Sequence, residues 1–81
     1  MSSVKVQDYC TTQAVMVTMF HGEKKELPAG AFVKPIEYKW VPKHILDCDM
    51  GRWFNKDIQT FCYTHYGIVV IPNEMIRKAG P

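Results

Sequence analysis

The chain has 81 residues, of which 47% are apolar and 12% aromatic, with a formal net charge of +2 and a pI near 8.5. That length leaves room for one domain, residues 1–81, and no second core. The charge is well short of the footprint of a dedicated DNA binder, and no run approaches the roughly 18 apolar residues of a membrane span.

Three cysteines, Cys10, Cys48 and Cys62, make an odd count with no C-x-x-C pair. That usage fits a reduced setting better than a disulfide framework. The opening MSSVKVQDYC has no apolar core of a signal peptide. The expectation is a soluble, cytoplasmic protein that spans no membrane. A domain this small buries only about 60% of its unfolded surface, so its apolar excess points to a subunit interface and a homo-oligomer.

In chain order, residues 1–12 are weakly patterned and compatible with a short helix, an arm or an edge strand. Gln13–Phe20 (QAVMVTMF) reads as a strand apolar on both faces, buried twice over or lying against a neighbouring subunit. A polar turn follows at His21–Lys25 around Gly22, and a second break at Leu27–Gly30. Ala31–Glu37 (AFVKPIE) is a strand interrupted by Pro35, which lacks an amide donor and so suggests an edge or a bulge. Lys39–Leu46 reads as an irregular connection closing in one helical turn, with Pro42 suited to its first position. Cys48–Asn55 reads as a turn around Gly51. Asp57–Tyr66 is a β-rich run that meets Gly67, and Ile68–Ile71 supplies four β-branched residues before Pro72 stops the strand. The coda Asn73–Lys78 suggests another helical turn. Short strands, with Gly or Pro at each joint and no long amphipathic helix, predict an all-β fold. It would be a small, strongly bent antiparallel barrel of four to five strands with single helical turns.

Three constellations bear on chemistry. His44, Cys48, Cys62 and His65 supply a Cys2His2 count, with H-x3-C and C-x2-H separated by thirteen residues. An odd separation on one strand turns Cys62 and His65 to opposite faces, so the expectation is no metal and no cofactor. No Cys–His motif supports nucleophilic catalysis, and Asp47 and Asp49 beside Cys48 disfavour its thiolate. No phosphate-cradling glycine loop is present, and the expectation is a protein that is not an enzyme. Cations and aromatics do interleave in Lys34–His44 (KPIEYKWVPKH) and Arg52–Lys56 (RWFNK). Rings stack on unpaired bases while Lys and Arg hold phosphates. The candidate nucleic-acid-binding residues are Lys34, Lys39, Trp40, Lys43, Arg52, Trp53 and Lys56. The competing reading leaves Trp40, Trp53 and Phe54 to complete the core.

Leu27–Ile45 (LPAGAFVKPIEYKWVPKHI), together with the terminal YGIVVIPNEMIRK, resembles a group of short uncharacterised proteins from marine metagenomes and cyanophage genomes. That group is associated with a small β-barrel of the Sm-like (SH3-like) type. The resemblance implies a bent five-stranded antiparallel sheet that assembles edge to edge into a ring and binds single-stranded RNA. The better-known Sm-like patterns grip a base with an Asp-x-apolar-Asn signature and an Arg-Gly pair. Lys34-Pro35-Ile36-Glu37 and Tyr66-Gly67 stand in those places here, so the base-gripping residues do not carry over. The expected function is therefore a phage-encoded Sm-like ring protein that binds single-stranded RNA or DNA. The alternative is a structural or adaptor protein working through protein contacts alone.

Overall fold

A computed structural model describes residues 9–79. Seven short strands run β1 (Tyr9–Thr11), β2 (Val15–Thr18), β3 (Lys24–Leu27), β4 (Phe32–Ile36), β5 (Gln59–Thr64), β6 (Gly67–Pro72) and β7 (Ile76–Lys78). Five of them form one antiparallel sheet in the order β6-β5-β4-β1-β7, and β2 and β3 form a separate hairpin. Between β4 and β5 lie a 3-10 turn (Tyr38–Trp40) and two single-turn helices, α1 (Lys43–Leu46) and α2 (Asp49–Arg52). A second 3-10 turn, Asn73–Met75, joins β6 to β7. The chain is thus mostly β, in two sheets, neither of them closed into a barrel.

Two cores lie on opposite faces of β4, β5 and β6. One packs Val15, Val17, Met19 and Leu27 of the hairpin region onto Val33, Cys62, Val69 and Ile71. The other packs Val41 and Ile45 onto Phe61, with Ile36, Leu46, Met50, Phe54, Ile68 and Val70 around them. Consecutive strand residues point to opposite faces, so Phe61 and Cys62, both buried, belong to different cores. The same alternation sends Ile68 and Val70 one way and Val69 and Ile71 the other. The unbroken apolar run of β6 is therefore satisfied within the chain.

Several expectations need correction. β1 lies inside the sheet between β4 and β7 rather than at an edge, while residues 1–8 fall outside the described residues. The strand count is seven among the described residues. Lys24–Leu27 is a strand where a turn and a break were expected, and Ile76–Lys78 is a strand where a helical turn was expected. Both are three or four residues long and rich in charge, too short and too polar for a period-two apolar signal. Pro35 sits in an interior strand opposite Cys62, but the β1 pairing reaches only Phe32 and Val33, so the proline lies past the end of that ladder. The β5–β6 hairpin turns at His65-Tyr66, with Thr64 opposite Gly67, and Gly67 takes the positive φ of 117° that closes the turn. Cys48–Asn55 contains the helical turn α2 instead of a simple reversal.

The hairpin is fastened to the sheet by its far end. Tyr66 donates its hydroxyl to the Glu26 carbonyl at 3.4 Å, and the Lys25 amine lies 5.8 Å from the Tyr66 ring centroid. Lys25 also pairs with Glu23 at 2.9 Å. That pair lowers the Glu23 carboxyl and raises the Lys25 amine, as expected for an exposed, solvent-screened contact.

Candidate functional site

The site is built by the connection between β4 and β5. After Ile36 the chain tightens into the 3-10 turn, where the Trp40 amide donates to the Glu37 carbonyl at 2.8 Å and the Val41 amide to the Tyr38 carbonyl at 3.1 Å. Val41 and Ile45 are buried against Phe61, which pins this segment down and turns Tyr38 and Trp40 outward. Pro42 caps α1 with φ −59°, needing no donor at the position where a helix leaves its first amides unpaired. Gly51 then lets α2 lie directly on α1, since a Cβ there would collide with the Leu46 backbone.

The outcome is a ladder of rings from the core to the surface. Phe54 stands 4.2 Å from buried Phe61 between ring centroids, and Tyr38 stacks on Phe54 at 5.8 Å with an interplanar angle of 22°. Tyr38 is 56% exposed, so the outer ring keeps a face to solvent. Lys56 lines the same open depression as Tyr38 and Phe54. Next along the turn, the Lys39 amine lies 5.7 Å from the centroid of Trp40, a ring 69% exposed. Lys39 also stands 3.6 Å from the Glu37 carboxylate.

The candidate residues separate into several places. Lys56 lines the depression of the Tyr38–Phe54 stack, and Lys39 and Trp40 pair with each other on the same 3-10 turn as Tyr38. Lys34 stands on β4 opposite Tyr63. Lys43 opens α1, is exposed, and has no ion pair among the described residues. Arg52 shares a depression with Asp47 and Asp49 near the His21 turn, an environment less suited to phosphate. Trp53, 81% exposed, lines a groove with Met16, Met50, Val70 and Pro72. Tyr38 was missed as a site residue, although it sits inside KPIEYKW. The competing reading gave Trp40, Trp53 and Phe54 to the core; only Phe54 packs there, partly buried, while Trp40 and Trp53 are exposed.

The four residues of the zinc-like spacing are dispersed. His44 packs edge-on against Phe20 at 5.2 Å, and His65 lies over Tyr66 at 4.0 Å. The Cys48 thiol donates to the Ile45 carbonyl at 2.9 Å. Cys62 is fully buried in the first core, and burial pushes its thiol up to about 12, so it stays protonated near neutrality. A protonated, solvent-free thiol suits neither metal ligation nor nucleophilic attack. Among the described residues no three His, Cys, Asp or Glu side chains are grouped as a metal site, and no helix is long and apolar enough to cross a membrane.

No family model, curated protein or solved structure matches this chain.

Proposed function

We propose that the chain binds single-stranded nucleic acid, RNA or DNA, on the ring-and-lysine surface between β4 and β5. The observation that carries this reading is the stepped stack Phe61–Phe54–Tyr38, which ends in an exposed ring flanked by Lys56, with Lys39 and Trp40 beside it. An exposed aromatic face supported from beneath by packed rings is rigid enough to receive a base at small entropic cost, and flanking amines hold phosphates. Duplex DNA presents its bases edge-on, so a stacking surface selects unpaired strands.

The strand order and the hairpin lying against β6 support an open variant of the small SH3-like barrel. With the resemblance of Leu27–Ile45 and the terminal segment, this favours a phage-encoded, Sm-like protein acting as a homo-oligomeric ring in the host cytoplasm. The adaptor reading has its own support in the groove formed by Met16, Met50, Trp53, Val70 and Pro72, where apolar side chains dominate.

Anisotropy titrations of labelled single strands at stepped salt separate the two. Nucleic-acid binding requires affinity that falls as salt rises, because phosphate contacts release counterions. Lys39→Ala with Lys56→Ala is expected to flatten the salt slope by about one to two units. Trp40→Ala is expected to weaken binding with the slope kept. Absence of binding at low salt, where electrostatic attraction is greatest, would leave the adaptor reading in its place.

A further inference from the structure

Directly opposed residues of an antiparallel pair share a face, as do alternate residues of one strand. On the face of β4 that carries the second core, the pairings give three rows. Ile36, Phe61 and Val70 make one, which the connection covers. Lys34, Tyr63 and Ile68 make the next. Phe32, Cys10 and Arg77 make the third, across β4, β1 and β7.

These last two rows are exposed in part. Cys10 is buried between Phe32 and Arg77, and Ile68 is half-buried against the second core, which leaves Phe32, Lys34, Tyr63 and Arg77 to face solvent. Phe32 is 71% exposed and Tyr63 49%, and Lys34 and Arg77 are exposed beside them. No acidic residue occupies either row at the described positions, and neither cation has an ion pair among the described residues. Large rings alternate with uncompensated cations in place of a continuous apolar patch. Such a surface complements a polyanion that carries flat, stackable groups. The covered row has Phe61 at its middle, 6.2 Å from the Tyr38 ring between centroids, so the exposed residues of the other rows and the ring stack lie on the same face of the sheet.

We infer that this face of β4 is the second half of a single-stranded nucleic-acid track. Bases stack on Phe32 and Tyr63, phosphates lie on Lys34 and Arg77, and the strand continues along β4 to Tyr38. The inference rests on the nucleic-acid reading above and names the path the strand takes. It makes the binding surface sheet-borne at one end and turn-borne at the other, with β4 as the shared rail.

Two double variants and a crosslinking map test it on the same labelled strands. Phe32→Leu with Tyr63→Leu keeps apolar bulk but removes the stacking faces. It is expected to weaken binding about tenfold or more at unchanged salt slope. Lys34→Ala with Arg77→Ala is expected to flatten the slope by about one and a half units. Ultraviolet crosslinking of the unmodified protein is expected to label peptides containing Phe32 or Tyr63 as well as Tyr38 or Trp40, a readout independent of variant folding. If crosslinks fall only within residues 38–56 and both variants bind like the unmodified protein, the track is overturned. The Lys39, Lys56 response would then still uphold the site on the connection. If the unmodified protein binds no single strand, both readings end together.

Discussion

Thr11 is the buried polar side chain among the described residues, and it has a structural task. Its hydroxyl donates to the Pro28 carbonyl at 2.7 Å and accepts the Ala31 amide at 3.1 Å. Its own backbone bonds Gly30 and Ala31, at 2.9 and 3.0 Å. One residue of β1 thereby holds the reversal that delivers the chain into β4, the proposed rail. Thr11→Val keeps the shape and removes the hydroxyl bridge, while the Pro28 carbonyl keeps the Ala31 amide at 3.2 Å. Denaturant unfolding is expected to show a loss of about 0.5–1.5 kcal/mol, with nucleic-acid affinity at low denaturant little changed. An unchanged midpoint would mean that the backbone bonds alone secure the turn. Nothing in the sequence around Thr11 announced this role. A three-residue strand has too few positions to display a period, and the partner turn lies 17 residues away.

At the level of elements, the legible parts were those with enough length to show a pattern. The β5–β6 hairpin, the Gly22 turn and the helical turn after Pro42 could each be read from β-branched runs and Gly/Pro punctuation. The two-faced apolar runs were seen but not resolved. In β6 both faces meet cores of the same chain, whereas in β2 only Val15 and Val17 are covered and Met16 looks outward. Sequence cannot separate those cases, since the difference lies in what the α1–α2 connection covers. Gly51 was read as a turn marker; here it serves close approach. Gly→Ala in an exposed helix commonly stabilises by up to about 1 kcal/mol. At Gly51 the new methyl would meet the Leu46 backbone, so the opposite sign is expected: Gly51→Ala should lower the melting temperature and loosen the packing of Met50 and Phe54. A higher melting temperature would show that α1 and α2 separate without cost.

Across the whole molecule, the exposed large apolar side chains are the part the chain alone leaves unresolved. Met16, Phe20, Phe32, Tyr38, Trp40, Trp53, Ile58 and Tyr63 are all exposed, a heavy load for a domain of this size. The proposed nucleic-acid track accounts for Phe32, Tyr38, Trp40 and Tyr63 and leaves Phe20, Ile58, Met16 and Trp53, the last two in the groove beside Val70 and Pro72. That groove adjoins β6, an edge of the five-stranded sheet whose ladder bonds only β5. β6 carries no charged residue and its proline comes only at the end, so its cover against edge pairing is the β2–β3 hairpin that lies against it. A largely apolar groove, with Thr18, Asp49 and Gln59 also lining it, beside an edge strand that carries no charge is an arrangement by which a second copy would be held, and this carries the ring proposal better than the two-faced strands did. Light scattering at micromolar concentration is expected to return a multiple of 9.4 kDa. Met16→Lys with Trp53→Lys, both on exposed side chains, is expected to bring the mass down to that of one chain while the circular dichroism stays native. A mass of 9.4 kDa for the unmodified protein would remove the ring and leave each chain to bind its strand alone.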